Sequence, residues 1–99
     1  MGSVFVCLVT KDQAFGDVLS EQARAARGIL VPCTLLGLPT LLDGFLVTHV
    51  VVDARDVAVS AVIEHVGARK IVVESARSKA EIAALVGRLI ASAAPTSGT

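Results

Sequence analysis

The sequence predicts a single α/β domain of four β-then-α units, a four-stranded, mostly parallel sheet with helices on both faces. Short, continuous apolar runs alternate four times with segments of helical periodicity, and the connections between them are only a few residues long. Of the 99 residues, 54% are hydrophobic, which is enough to build one packed core. We predict strand order 2-1-3-4, with residues 1–94 forming the domain and residues 95–99 a flexible tail.

The first two units begin with apolar runs that suit strands covered on both faces. The run VFVCLV at 4–9 indicates strand 1, and helical spacing from Asp12 to Gly28 indicates helix 1. Strand 2 is predicted at 29–31, where Pro32 cuts it off because proline has no N–H to give to a sheet. Helix 2 is predicted to begin around Gly37 and Pro39. Its apolar stripe consists of Leu38, Leu41, Leu42 and Phe45.

The third unit carries the strongest strand signal in the chain. Five of the six residues in VTHVVV at 47–52 are β-branched, which favours a place in the centre of the sheet. Asp53 or Asp56 is predicted to cap helix 3, and Gly67 to end it. The apolar face of this helix consists of Val59, Val62, Ile63 and Val66.

The fourth unit has a short strand and the best-supported helix. Strand 4 is predicted at 71–73 (IVV). Ser78 and Glu81 stand at the spacing of a capping box, which predicts the start of helix 4. The stripe of helix 4 consists of Ile82, Leu85, Val86, Leu89 and Ile90.

Composition excludes several classes of function. Nine basic residues balance nine acidic ones, so no net field attracts a nucleic acid or an anionic membrane. No apolar run is long enough to span a membrane, and the N-terminus lacks the pattern of a signal peptide, so we expect a cytoplasmic protein. Cys7 and Cys33 lie in apolar runs that we expect to be buried, where a thiol behaves as a small hydrophobe, and we expect both thiols to be free. No glycine-rich phosphate loop follows a strand, and we expect no cofactor.

The candidate site lies at the carboxyl edge of the sheet. The direction of winding reverses between strands 1 and 3, and doubly wound sheets bind their ligands at such a point. An open alternative is that Asp12 and Asp53 only cap the helices that follow them. The candidates are Thr10, Lys11 and Asp12 after strand 1, Asp53 and Asp56 after strand 3, and Glu74 and Ser75 after strand 4.

The order and spacing of these residues resemble a response-regulator receiver domain, which has a flavodoxin-like fold. Asp53 ends an apolar strand where receivers have their phosphorylated Asp. Ser75-Ala76 ends strand 4 where receivers have a Thr or Ser followed by Ala. The resemblance spans residues 4–76, and the stretch 29–53 can be laid on a typical receiver without a gap.

The departures from this pattern are as informative as the matches. Receivers bind magnesium with an acidic pair after strand 1, and the matching positions here are Thr10 and Lys11. A lysine ammonium competes with a hard cation for the same carboxylate oxygens. The segment between Asp53 and Ser75 is shorter than in the family, and the sequence given stops after helix 4. The chain therefore resembles a degenerate receiver, or pseudo-receiver, without metal and without phosphorylation chemistry.

We therefore expect a non-catalytic module that binds a protein partner, or a second copy of itself, in signalling or regulation. Lys11 and Asp53 are predicted to form a partly buried ion pair. One alternative is a small flavodoxin-like domain that binds a ligand or acts as an enzyme in a crevice formed by Lys11, Asp12, Asp53 and Ser75. Another is a small subunit of a larger assembly. No catalytic constellation is visible, which disfavours the enzyme.

The predicted partner face joins strand 4 to helix 4. Strand 4 would be an edge strand with open hydrogen-bonding groups, and the sheet would cover the apolar stripe of helix 4 only in part. A two-fold dimer in which each face meets its copy is the simplest arrangement. The residues of this face are Ile71, Val72, Val73, Leu85 and Leu89.

Overall fold

The computed structural model describes residues 4–93 and has the predicted alternation of strands and helices. Residues 95–99, predicted to form a flexible tail, lie outside this range. None of the helices in the described range is long and apolar enough to cross a membrane. In chain order the elements are β1 (Phe5–Val9), α1 (Gln13–Ala25), β2 (Ile29–Cys33), α2 (Leu38–Gly44), β3 (His49–Asp53), α3 (Val59–Val66), β4 (Val72–Ala76) and α4 (Lys79–Ala93).

The four strands form one sheet in the order β2-β1-β3-β4, and every neighbouring pair is parallel. Both the class and the predicted order are confirmed. In the centre of the sheet, Cys7 of β1 pairs with Val31 of β2 on one side and with Val50 of β3 on the other. The chain thus winds outward in both directions from β1, which is the arrangement of a flavodoxin-like fold.

Two apolar layers enclose the sheet because successive side chains of a strand point to opposite faces. Val6 and Leu8 of β1 are fully buried on the face covered by α1 and α4. Cys7 and Val9 are fully buried on the other face, which α2 and α3 cover. The continuous apolar run of β1 is therefore explained by burial on both sides.

The helix ends follow the predicted signals in part. Ser78 caps α4 as expected, with the Glu81 amide donating to Ser78 Oγ at 3.1 Å, while Glu81 Oε1 accepts from the Ser78 hydroxyl at 3.0 Å. Gly67 ends α3 with a φ of 59° and a ψ of −130°, a conformation that favours glycine. The prediction that Asp53 or Asp56 caps α3 is wrong: the N-cap is Ala58, and no side chain accepts a hydrogen bond there. The Asp53 carboxylate instead takes its hydrogen bonds from other donors, described below.

The bounds of β2, β3 and β4 and one helical residue differ from the predictions. Strand β2 continues through Pro32 to Cys33, because β2 is an edge strand and the position without an N–H faces away from β1. Strand β3 begins at His49, two residues later than predicted, and β4 covers Val72–Ala76 instead of 71–73. Glu74 and Ser75 therefore lie within β4, not after it. Phe45 follows α2 and is exposed, so it does not extend the buried stripe of that helix.

Helix α1 packs unusually close to the edge strand β2. A Cβ atom built on Gly16 would lie 2.5 Å from Cβ of Pro32, nearer than real Cβ atoms approach one another. The absence of a side chain at Gly16 thus sets the spacing between this helix and the sheet. The packing fixes the start of α1 above the carboxyl ends of β1 and β2, where the candidate site lies.

Candidate functional site

The carboxyl ends of β1 and β3 lie side by side in the centre of the sheet and bring three predicted residues together. Thr10 directly follows β1, Asp53 ends β3, and Asp12 caps α1 by accepting a hydrogen bond from the Phe15 amide at 3.1 Å. Thr10 and Asp53 are both buried. We call the group formed by Thr10, Asp12, Asp53, Arg55 and Lys79 the Asp53 cluster.

The Asp53 carboxylate is fully buried, and hydrogen-bond donors engage both of its oxygens. Arg55 binds it with two nitrogens, Nε to Oδ1 at 2.8 Å and Nη2 to Oδ2 at 2.6 Å. The Arg55 amide adds a bond to Oδ1 at 3.2 Å, and the Thr10 hydroxyl donates to Oδ2 at 2.7 Å. Hydrogen bonding from Arg55, reinforced by Thr10, holds the pKa of Asp53 below its ordinary value of 3.8 despite burial.

Asp12 and Lys79 complete the cluster at its outer side. Asp12 Oδ2 lies 3.4 Å from Lys79 Nζ and 3.8 Å from Arg55 Nη2. The hydrogen bond from the Phe15 amide is the main cause that lowers the pKa of Asp12, and Lys79 adds to it. The Phe15 ring lies under both cations, 5.5 Å from Arg55 Cζ and 5.7 Å from Lys79 Nζ. Two carboxylates thus face two cations.

The predicted ion pair between Lys11 and Asp53 is wrong. Lys11 is exposed and makes no salt bridge within residues 4–93, because Arg55 already occupies both oxygens of Asp53. Asp56 is exposed and contributes a backbone N–H to the Asp53 carbonyl at 3.3 Å. Ser75 is exposed in β4, opposite Val52. Of the four residues predicted to form one crevice, only Asp12 and Asp53 lie in the cluster.

Sequence reasoning missed Arg55 and Lys79. Arg55 stands two residues after Asp53. Its side chain is long enough to fold back over the end of β3 and reach the Asp53 carboxylate. An Asp-x-Arg sequence directly after a buried strand could have signalled this pairing. Lys79 begins α4, and only the fold brings it to Asp12.

The residues at this edge do not fit the magnesium site that the receiver resemblance implies. A magnesium site uses carboxylate oxygens that are free to coordinate the ion. Both oxygens of Asp53 accept hydrogen bonds, and the positions of the acidic pair are a threonine and a lysine. Among residues 4–93 no three His, Cys, Asp or Glu side chains are grouped to hold a metal ion.

A second feature of the same edge is a cavity of about 270 Å³ at the ends of β1 and β2. It is distinct from the Asp53 cluster except for Thr10, which borders both. Lys11 lies here, which explains its separation from Asp53. The lining residues are Thr10, Lys11, Gln13, Pro32, Cys33 and Thr34.

The predicted partner face divides between the surface and the core. Val72, at the start of β4, is 52% exposed, and its neighbours Ile71 and Val73 are half-buried against the α2 and α3 side. The expectation that the sheet leaves the stripe of α4 partly uncovered is wrong. Leu85 is only 5% exposed, and Leu89 packs against the same core. Helix α1 lies beside α4 and helps to cover it.

Comparison with known proteins gives no assignment, since no family model, no curated protein and no solved structure matches the chain.

Proposed function

We propose that this chain is a non-catalytic, receiver-like regulatory module that acts by binding a second copy of itself through the edge of β4. The observation that carries the proposal is the closure of Asp53. In the receiver resemblance, the matching Asp accepts a phosphoryl group beside a bound magnesium ion. Here a guanidinium holds both oxygens of the carboxylate from only two residues away.

The closure of Asp53 and the residues after β1 together remove both requirements for phosphoryl transfer. A carboxylate held by a bidentate arginine and a hydroxyl has no free oxygen to attack a phosphorus atom. The transferred group also needs a cation that neutralises its developing charge, and the two positions of the acidic pair that would recruit one hold Thr10 and Lys11. The ion pair between Arg55 and Asp53 holds the carboxyl edge of the sheet in one arrangement. Because Asp53 does not accept a phosphoryl group, phosphorylation does not switch this arrangement.

Incubation with a small acyl-phosphate donor and magnesium tests whether the chain has lost phosphorylation chemistry. We expect intact-protein mass spectrometry to detect no added phosphoryl group on the wild-type chain. Arg55→Ala should behave in the same way, because Thr10 and Lys11 still provide no acidic ligand. Asp53→Asn is the matched control for labelling elsewhere in the chain. A phosphoryl group on wild-type Asp53 that is absent from Asp53→Asn contradicts the proposal.

The edge of β4 supports self-association. Among residues 4–93, β4 pairs only with β3, and Val72 exposes an apolar side chain at this edge. Lys70 and Glu74 stand two residues to either side of Val72. Antiparallel pairing about a two-fold axis at Val72 therefore sets Lys70 of each copy opposite Glu74 of the other, and opposite charges across strands are favourable.

The proposal includes a cytoplasmic location. Its support is that charges or prolines interrupt the apolar runs of the sequence, and that both cysteines are free thiols.

A second candidate function is the binding of a small ligand at the carboxyl edge, and the cavity beside Lys11 favours it.

A further inference from the structure

The amino edge of the sheet, where the strands begin, presents apolar side chains that the core does not cover. Phe45 follows α2 and is 55% exposed, and Leu46 after it is 92% exposed. The Phe45 ring lies against the Phe5 ring, with 5.6 Å between the ring centroids. Phe5 pairs with Ile29 at the start of β2, which is exposed as well. We call the group formed by Ile29, Phe45 and Leu46 the amino-edge patch.

The fold fixes both ends of the loop that carries most of this patch. The Phe45 amide donates to the Leu41 carbonyl at 3.1 Å, which closes α2. The Thr48 amide donates to the Phe5 carbonyl at 3.0 Å, just before β3 begins. Between these two bonds Val47 is buried in the core. Because the backbone is already ordered, binding at the patch costs little conformational entropy.

Basic residues flank the amino-edge patch. Three loops join helices to strands at this edge, and together they contain three basic residues and no acidic one. The loops are 26–28, 45–48 and 67–71. Arg69 is used within the fold, since it binds Asp43 and donates to the His65 carbonyl at 3.1 Å. Within residues 4–93 neither Arg27, before β2, nor Lys70, before β4, forms a salt bridge. Positive charge therefore lies on both sides of the patch, although the whole chain is neutral.

We infer that the amino-edge patch binds an acidic segment of a partner protein, whose apolar side chains cover Phe45 and Leu46. Carboxylates of that segment meet Arg27 and Lys70, one on each side of the patch. Protein interfaces obtain most of their binding free energy from a few residues, and aromatic and arginine side chains are prominent among them. The inference is independent of the proposed function. In the proposed dimer Lys70 lies opposite Glu74 of the other copy, which leaves Arg27 for the partner.

A lipid surface fits this edge less well than a protein segment does. Each basic residue near an anionic membrane adds about 1 kcal/mol of attraction, and segments that bind such membranes usually hold about 4–8 of them. Only Arg27 and Lys70 are uncompensated in the three loops of this edge. A protein segment needs fewer charges, because its apolar side chains pack directly against the patch.

The test is selection of short random peptides, displayed on phage, against the folded chain, with Leu46→Ser for counter-selection. We expect the recovered peptides to be rich in acidic residues and to contain leucine, isoleucine or phenylalanine. Leu46→Ser should weaken binding of one such synthetic peptide by about ten-fold or more, the size of a hot-spot effect, measured by fluorescence anisotropy. Leu36→Ser is the matched control and should bind as the wild type does, because Leu36 is 93% exposed at the opposite edge of the sheet.

The charge of the partner has a readout of its own, with the folding of every variant checked by circular dichroism. Arg27→Gln should weaken binding of the same peptide several-fold, and added salt should weaken binding to the wild type more than to this variant. Vesicles of phosphatidylcholine and phosphatidylserine should not sediment with the chain. The inference is overturned by peptides without net negative charge, by peptides that bind Leu46→Ser as well as the wild type, or by vesicle binding that Leu46→Ser abolishes.

Discussion

Thr10 connects the two parts of the carboxyl edge. Its hydroxyl donates to Asp53 at 2.7 Å and accepts from the Asp12 amide at 3.0 Å. Its own amide donates to the Cys33 carbonyl at 3.0 Å. Within residues 4–93 every buried polar side-chain atom has a hydrogen-bond partner, so the cluster is fully satisfied. A single buried residue, through its hydroxyl and its backbone amide, thus links the end of β1 to both of its neighbouring strands.

Removal of this hydroxyl should destabilise the fold. Thr10→Val keeps the shape of the side chain but removes one of the two donors to Asp53 Oδ2 and leaves the Asp12 amide without its partner. We expect the free energy of unfolding at pH 7 to fall by about 1–3 kcal/mol, the usual cost of a lost buried hydrogen bond. Thr10→Ser keeps the hydroxyl and is the matched control. Urea denaturation measures both, and equal stability of wild type and Thr10→Val would contradict the hydrogen-bonding role.

The same variant also tests how the free energy of unfolding depends on pH in acid. The folded pKa of Asp53 lies below its ordinary value of 3.8, so the stabilisation by its partners is present above that pH. It is lost as the pH falls through the folded pKa. A protonated Asp53 is a weaker acceptor, and we expect the stability curves of wild type and Thr10→Val to converge below pH 3.8. A stability difference that stays constant down to the acid transition would argue against an ionised Asp53.

The sequence predicted the position of the site but not its chemistry. The carboxyl ends of strands can be read from the pattern of apolar runs, and this reading identified Thr10, Asp12 and Asp53. Which cation reaches the Asp53 carboxylate depends on side-chain direction. Lys11 leads into the cavity beside β2, whereas Arg55 folds back over β3. Periodicity carries no information about that choice.

At the scale of elements, the end of α1 differs from the ending that the sequence suggests. The left-handed conformation lies at Arg27, with a φ of 64°, and not at Gly28. The Gly28 amide donates to the Ala23 carbonyl at 2.7 Å. A Cβ built on Gly28 would lie 3.0 Å from Ile90 of α4, so glycine serves close packing there. A residue with a side chain therefore takes the strained position.

This arrangement predicts a stabilising substitution. Left-handed backbone costs a residue with a Cβ about 1–2 kcal/mol, and glycine is free of that cost but loses more chain entropy on folding. We expect Arg27→Gly to raise the free energy of unfolding by about 0.5–1 kcal/mol, measured by urea denaturation. Arg27→Ala, which keeps a Cβ, should leave stability nearly unchanged. A loss of stability in Arg27→Gly would show that the arginine side chain outweighs the backbone strain.

The type and order of the elements could be predicted because burial sets the spacing of apolar residues along the chain, and that spacing differs between strands and helices. The strand boundaries could not be predicted, because they depend on where each strand lies in the sheet and how far its neighbour extends. Strand β2 tolerates Pro32 only because it lies at an edge, and β4 extends to Ala76 because β3 offers it a partner as far as Asp53. The close approach of α1 to the sheet at Gly16 has no signal in periodicity.

At the scale of the whole molecule, the doubly wound sheet separates two regions. Its carboxyl edge holds the closed Asp53 cluster and the cavity beside Lys11, and its β4 edge presents Val72 beside opposite charges. Four of the five residues in the predicted stripe of α4 are buried, contrary to the expectation for that helix. The proposed contact between copies therefore depends on strand pairing and not on an uncovered helix.

Sedimentation velocity over a concentration series tests this central claim most directly. Val72→Lys places a charge on the β4 edge, and Val18→Lys places the same charge on α1, at a residue that is also 52% exposed. We predict that the wild type and Val18→Lys sediment as dimers at high concentration, and that Val72→Lys stays a folded monomer by circular dichroism. A wild-type chain that remains monomeric at every concentration, or a Val72→Lys variant that dimerises as well as Val18→Lys, would contradict the claim.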